Sequence, residues 1–219
     1  MALLQDDVGT PGDGGTLAFG ANVAANSALI AVVFFPDNTS VVNSITDTRG
    51  NTWALGKRQA SSGSQAVEIW YARNANAGSC TLTFDYSATV TPQVTIAEFS
   101  GFSTGIAKDQ SNGASFSSQA NPSPGAITTT QATSLVIVGY RVATAFAVNA
   151  WGDSFTGLTG QNRSCLAYRE LTSTATLDGD VTFAANESGA AANVNVYNAA
   201  APSGAVVPVY MTQYRQRWN

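Results

Sequence analysis

The sequence predicts an all-β protein, an antiparallel β-sandwich of the jelly-roll kind with little or no helix. Alternation of apolar and polar residues with a period of two recurs along the chain. Clusters of Gly, Asn, Asp, Ser and Pro separate the alternating segments, as turns separate strands. No segment has a sustained helical period with a cap. The 219 residues suffice for one full sandwich core.

The clearest strand is predicted at residues 79 to 86. One face of this segment is apolar and consists of Cys80, Leu82, Phe84 and Tyr86. The residues between them are polar, which is typical of an antiparallel strand with one buried face. Residues 65 to 72 alternate in the same way. The continuous apolar runs at residues 27 to 35 and 134 to 140 predict strands in the centre of a packed sandwich.

The two halves of the chain resemble each other weakly. SALIAVV at residue 27 parallels SLVIV at residue 134, and each half ends on an alternating strand. A hinge rich in Ser, Asn, Gly and Pro is expected at residues 111 to 124. These features favour one jelly roll of two interlocked Greek keys, with halves at about 16–110 and 125–207.

The expected sandwich therefore spans residues 16 to 207, between an N-terminal arm at 1–15 and a C-terminal tail at 208–219. The alternative is two separate small sandwiches. We favour the single sandwich because each half would be small for a core of its own.

Catalysis is not expected from this composition, and no cofactor is implied. The chain contains no histidine, the residue most used in general acid–base catalysis, and only 11% of its residues are charged. Glu68 and Glu98 form the best carboxylate pair and could hydrolyse a glycoside if they faced each other across a cleft. Single glutamates on the polar faces of strands are common, so a glycoside hydrolase ranks last.

Metal and disulfide sites are also not expected. The segment from Asp47 to Asn51 has the composition of a turn capped by its own side chains. Neither Asp47 nor the pair Asp178 and Asp180 has the dense oxygen-ligand spacing of a calcium loop. Cys80 and Cys165 are expected to be two buried thiols of a reducing compartment.

Aromatic residues are the remaining candidates for ligand binding. Trp53, Trp70 and Trp151 could form a platform on which a sugar stacks, although most Trp residues in β proteins pack in the core. An exposed platform would indicate a carbohydrate-binding module or a tail-fibre module that recognises a receptor.

The two ends of the chain have the composition of protein interfaces. The tail contains Tyr210, Tyr214, Arg215, Arg217 and Trp218, and aromatic residues and Arg are enriched in interface cores. Leu3 and Leu4 lie in the N-terminal arm. We expect these seven residues to contact a neighbouring chain; packing of the tail as an extra edge strand is an equal alternative.

Three segments carry a resemblance to a known group of proteins. They are ITDTRGNTW at residue 45, IWYARNANAG at residue 69 and IAEFSG at residue 96. The chain resembles uncharacterised jelly-roll-like β-sandwich proteins of bacteria and tailed bacteriophages, where similar modules occur in virion and surface proteins. The resemblance covers roughly residues 27 to 104. It implies a jelly-roll-like fold and a structural role in a virion.

Charge and hydropathy exclude several other partners. The net charge is −4 and the basic residues are scattered, which argues against a nucleic-acid partner. No apolar run is long enough to span a membrane. The first residues lack the basic and apolar regions of a secretory signal, so we expect either use without export by that route or a leader that was replaced in cloning.

The leading hypothesis is therefore a non-enzymatic capsid decoration protein. It would be assembled into the virion in the host cytoplasm. It would form a homo-oligomer on the capsid exterior, with a trimer favoured, and would contact a major capsid protein. A glycan is the alternative ligand.

Overall fold

The computed structural model describes residues 1–73, 75–102 and 105–198. These residues form 17 β-strands joined by turns, and all strand pairs are antiparallel. The all-β antiparallel sandwich expected from the sequence is confirmed. The described residues contain no helix, and therefore no helical segment long and apolar enough to cross a membrane.

The first half of the chain contributes eight strands. They are β1 Ala2–Gly9, β2 Thr16–Ala18, β3 Ala28–Phe35, β4 Val42–Asp47, β5 Trp53–Ala60, β6 Ala66–Ala72, β7 Thr81–Tyr86 and β8 Gln93–Ser100. Five of them form a large sheet in the order β1-β8-β3-β6-β5. The other three form a small sheet in the order β2-β7-β4.

The second half contributes nine strands. They are β9 Ile106–Gln119, β10 Ile127–Thr128, β11 Ser134–Val142, β12 Val148–Trp151, β13 Thr156–Gly157, β14 Ser164–Leu171, β15 Thr176–Leu177, β16 Val181–Phe183 and β17 Glu187–Asn198. A second large sheet has the order β13-β14-β11-β17-β9. Two separate pairs, β10-β15 and β12-β16, form the layer outside it.

The jelly-roll strand order is present in each half separately. In a jelly roll of eight strands, the order 1-8-3-6 in one sheet faces the order 2-7-4 in the other. The first half has this order directly, and β9-β17-β11-β14 repeats it in the second half. Each described strand ladder joins strands of the same half, so the interlocking expected across the two halves is not observed. The chain contains two jelly-roll sandwiches in tandem.

The hinge expected at residues 111 to 124 is largely a strand. β9 runs from Ile106 to Gln119 and pairs with β17 along one edge. Its Ser- and Asn-rich sequence resembles a loop because most of its side chains are half-exposed or exposed. The N-terminal arm expected at residues 1 to 15 also contains a strand, since β1 pairs with β8. Both are edge strands, which need less apolar surface than central strands.

The core of the first half lies between its large and small sheets. Alternate residues of β3 point into it, including Val33 and Phe35, and Phe84 and Tyr86 of β7 meet them. The rings of Phe35 and Tyr86 pack edge to face with centroids 5.6 Å apart. Such pairs stabilise a core beyond simple burial of apolar area.

A shared core joins the two halves. The other alternate residues of β3, such as Ile30 and Phe34, pack against Leu135 and Ile137 of β11. The two large sheets therefore face each other, and both faces of β3 are buried, as its continuous apolar sequence predicts. A third core, around Tyr140, lies between the second large sheet and the two outer strand pairs. The molecule has four layers and three cores.

Candidate functional site

Glu68 is a buried structural carboxylate on β6. Only 1% of its side chain is exposed. It accepts hydrogen bonds from the indole Nε1 of Trp70 at 2.8 Å and from the backbone N–H of Val42 at 3.4 Å. Arg58 Nε lies 3.2 Å from its Oε1 in a charge contact rather than an aligned hydrogen bond. Burial raises the pKa of Glu68, and these contacts oppose that rise.

Glu98 is buried to the same extent but has different partners. It accepts hydrogen bonds from Gln5 Nε2 at 2.6 Å and from the backbone N–H of Ala24 at 2.7 Å. Its strand and that of Glu68 flank β3, where Glu98 pairs with Leu29 and Glu68 with Val33. Four residues along β3 and two strand spacings across it separate the Cα atoms by about 16 Å. The two carboxylates share no hydrogen-bond partner, and each is buried among its own donors rather than facing the other across a cleft, as a glycosidase pair would.

Two of the three candidate sugar-stacking tryptophans pack within the first half and donate hydrogen bonds to carboxylates there. Trp70 is buried and bonded to Glu68. Trp53 is half-buried against the first core and donates its Nε1–H to Asp47 Oδ2 at 2.7 Å. Neither forms an exposed platform, so only Trp151 remains as a candidate of this kind.

Asp47 caps a turn, as expected. Its Oδ1 accepts hydrogen bonds from the backbone N–H groups of Arg49 at 2.8 Å and Asn51 at 3.2 Å. Gly50 lies between them with a φ of 67°, a conformation that favours glycine. The carboxylate thus organises the loop that leads into β5.

The second acidic segment is also tied to a turn. Asp153 Oδ2 accepts hydrogen bonds from the backbone N–H groups of Asp178 and Gly179. Within the described ranges, no three Asp, Glu, Cys or His side chains are grouped as a metal site would require. Cys80 and Cys165 are unpaired and buried, which confirms the expectation of two free thiols.

The second half contains an aromatic cleft of about 350 Å³. We use this name for the space between β12 and the β13–β14 connection, lined by Phe146, Val148, Trp151, Leu158, Gly160, Gln161, Asn162, Ser164 and Cys165. The four apolar side chains Phe146, Val148, Trp151 and Leu158 are half-buried there. The outer layer of this half is divided into two strand pairs, and the cleft lies beside the β12-β16 pair.

The third core holds both rings of the cleft in place. Tyr140 lies against Trp151 with centroids 5.9 Å apart, and Phe183 packs edge to face on Phe146 at 5.0 Å. The Tyr140 hydroxyl donates to one of two carbonyl oxygens, that of Gly179 at 2.7 Å or that of Pro122 at 3.1 Å. Burial raises the pKa of Tyr140 far above its ordinary value, so the hydroxyl stays protonated. The aromatic wall is preorganised by these contacts.

A larger cleft of about 670 Å³ lies where β1 approaches β13 and β14. Its lining consists of Ala2, Leu3, Ser154, Thr156, Tyr168, Arg169 and Glu170. Tyr168 packs edge to face on Phe99 of the first half at 5.0 Å, and Arg169 donates to the carbonyl oxygen of Asp153. Arg169 and Glu170 are adjacent opposite charges on the wall of an open cleft.

The expected interface residues at the N-terminus point in different directions. Leu3 is partly buried against the shared core, whereas the side chain of Leu4 is 49% exposed. A register shift between Leu3 and Gln5 leaves Leu4 outside the ladder with β8. Val8, further along β1, is 36% exposed. The other expected interface residues lie outside the described residues; they are Tyr210, Tyr214, Arg215, Arg217 and Trp218.

Comparison with known proteins adds no relative. No protein-family model matches the chain, no curated protein matches it, and no solved structure matches its fold.

The sequence indicated Trp151 but not the residues that complete the aromatic cleft. Phe146 and Leu158 lie in segments without clear alternation, and Gln161 and Asn162 belong to a polar turn. The available signal was weak: two large apolar residues in polar surroundings near Trp151. Their proximity depends on how β12 and the β13–β14 turn fold over the third core.

Proposed function

We propose that the chain is a non-enzymatic structural protein of a virus particle, a decoration protein that forms a homo-oligomer on the capsid exterior. The resemblance to virion modules of tailed bacteriophages motivates the viral setting. The observation that carries the assembly role is the exposed apolar surface of an edge strand. Leu4 and Val8 of β1 are large apolar side chains in contact with solvent.

β1 is suited to contact a second chain. It is the last strand of its sheet, and no other described strand pairs with its outer edge. An edge of this kind presents unpaired backbone groups that another chain can bind. A contact that covers Leu4 and Val8 would also bury apolar area.

The charge of β1 complements that of the C-terminal tail. Asp6 and Asp7 are half-buried beside the two exposed apolar residues, and each uses one carboxylate oxygen to accept a backbone N–H. The tail contains Arg215, Arg217 and three aromatic residues. In the proposed oligomer, the tail of one chain lies against β1 of the next. Because the two contacting surfaces differ, repetition of this contact forms a ring when the rotation between chains closes, and we favour a closed trimer.

The buried carboxylates support a non-enzymatic role. The carboxylates of Glu68 and Glu98 are buried and accept hydrogen bonds from different partners within the first half. Their positions suit stabilisation of the sandwich better than catalysis. The proposed partner outside the oligomer is a major capsid protein.

Light scattering coupled to gel filtration tests the assembly role. The full chain should run as a trimer, and deletion of residues 209 to 219 should give a folded monomer. Leu4→Glu combined with Val8→Glu should weaken the trimer in the same way. Leu55→Glu is the matched control, because Leu55 is 42% exposed on β5 at the opposite edge of the sheet. An oligomer that survives the deletion would overturn the proposal.

The viral setting needs a separate test. Antibody against the chain, applied to purified virus particles and viewed by electron microscopy, should label the capsid surface. Label confined to the tail, or no label on particles, would contradict the capsid assignment.

A further inference from the structure

We propose that the aromatic cleft of the second half binds a neutral saccharide. The proposal uses neither Leu4, Val8 nor the tail, so it does not depend on the proposed assembly. The proposal rests on the shape of the cleft, on the absence of charge in its lining and on hydrogen-bonding groups that have no partner among the described residues.

The size of the cleft fits a small ligand. Its volume of about 350 Å³ lies at the lower end of the range of roughly 300–1,000 Å³ usual for small-molecule sites. Such sites combine apolar and aromatic walls with a few polar groups that orient the ligand. Here Phe146, Trp151 and Leu158 supply the walls, and Gln161 and Asn162 supply amides.

Among the described residues, the lining contains no Asp, Glu, Lys or Arg side chain. A phosphate, a carboxylate or an amine would therefore gain no charged partner from the lining, whereas a neutral ligand needs none. The cleft therefore favours a neutral ligand over a nucleotide or an amino acid.

Several polar groups of the cleft have unused hydrogen-bonding capacity. Ser164 is 1% exposed, and its hydroxyl has no partner among the described residues. Within the same residues, the Asn162 amide and the Trp151 indole N–H make no hydrogen bond. Gln161 donates through Nε2 to the carbonyl oxygen of Gly9 at 2.9 Å, which fixes its side chain and leaves Oε1 to accept.

A neutral sugar matches both features at once. Its ring has a C–H face that can pack on an aromatic wall, and its hydroxyl groups both donate and accept hydrogen bonds, as the amides require. A purely apolar molecule would fill the same space but would leave the polar groups unpaired, which is unfavourable. The chemistry therefore favours the saccharide over a lipid chain.

Nuclear magnetic resonance titration of the full chain tests the proposal. The probes are glucose, galactose, mannose, N-acetylglucosamine and cellobiose at millimolar concentrations, with glucose 6-phosphate and benzyl alcohol for comparison. At least one neutral sugar should shift the Trp151 indole resonance in a saturable way. The phosphorylated sugar should bind more weakly than glucose.

Three variants localise the binding. Asn162→Ala should lower the affinity for the sugar by about tenfold, the usual effect of losing one hydrogen bond to a ligand. Trp151→Phe keeps a ring against the third core but removes the indole N–H. It should lower the affinity for the sugar by a similar factor. Asn43→Ala is the control, because Asn43 is an exposed amide on β4 of the first half.

The outcomes separate clearly. Saturable sugar binding that both cleft variants weaken and the control leaves unchanged would support the proposal. Absence of binding by all five sugars would overturn it, as would binding that neither cleft variant affects or a preference for benzyl alcohol. None of these results bears on whether the chain forms a trimer.

Discussion

The indole N–H of Trp70 donates a hydrogen bond to the carboxylate of Glu68 at 2.8 Å. The two residues lie two positions apart on β6, and residues at that spacing share one face of a strand. The sequence made Trp70 a candidate for stacking on sugar and Glu68 a candidate for catalysis. Their mutual contact inside the first core gives both a structural role.

Glu68 should make stability depend on pH. Burial raises the pKa of its carboxyl group above the ordinary value of 4.5, so the folded state holds the proton more tightly than the unfolded state. The resulting stabilisation is complete below pH 4.5 and is lost as the pH rises through the folded pKa. The free energy of unfolding of the native chain, minus that of Glu68→Gln, should therefore fall as the pH rises above 4.5 in urea titrations.

Asp37 provides a comparison of opposite sign. Burial alone would raise the pKa of its carboxyl, but hydrogen bonds from Ser40 and Thr39 outweigh it and lower the pKa below 3.8. Its stabilisation is present above pH 3.8 and is lost as the pH falls through the folded pKa. The loss of stability caused by Asp37→Asn should therefore disappear in acid, where the native carboxyl is also uncharged. The same pH trend for both variants would contradict this assignment.

Gly139→Val should destabilise the contact between the halves. A Cβ atom at Gly139 would lie 3.1 Å from Cγ1 of Val32 and 3.3 Å from the nearest atoms of Phe34 and Val67. Overpacking of this kind costs about 1–3 kcal/mol. Gly12→Val is the control, because the nearest atom there is 3.9 Å away. Equal denaturation midpoints for the two variants would count against a tightly packed shared core.

The two halves should unfold together. Ile30 and Phe34 of the first half are completed by Leu135 and Ile137 of the second, so loss of one half would expose the apolar face of the other. We expect one thermal transition whose calorimetric enthalpy equals its van't Hoff enthalpy. Two resolved transitions would instead indicate that each sandwich is stable alone.

Both thiols should resist alkylation in the folded protein. Burial raises the pKa of Cys80 to about 12, with the charge of Asp47 adding to the effect, and burial alone raises the pKa of Cys165. Because the thiolate is the reactive form, iodoacetamide at about pH 8 should modify neither residue until denaturant is added. Mass spectrometry measures the modification. Fast labelling of Cys165 alone would indicate that the aromatic cleft opens to the third core.

The interior of the fold was largely predictable from sequence. The apolar run at residues 27 to 35 identified β3, and the alternation at residues 79 to 86 placed Leu82 and Phe84 in the core. β3 faces a core on each side and is apolar throughout, whereas β7 faces one core and alternates between apolar and polar residues.

The edges and the cleft were harder to predict. β9 is polar because it is an edge strand, so its composition resembled a hinge. β1 was not predicted, because residues 1 to 15 resembled a free arm. Because several strands of each half were not recognised, each half appeared too small for a jelly roll of its own. The cleft depends on contacts between Phe146, Trp151 and the turn near Asn162, which no local pattern encodes.

Because the two large sheets pack face to face, the molecule has two different outward surfaces, one from each half. One outward surface is a continuous three-stranded layer, and the other is divided and carries the aromatic cleft. Copies arranged in the same orientation on any support would therefore present one of these surfaces to the support and the other to the surroundings. If the cleft binds the proposed sugar and faces outward, a layer of such copies displays a regular array of sites whose combined binding greatly exceeds that of one.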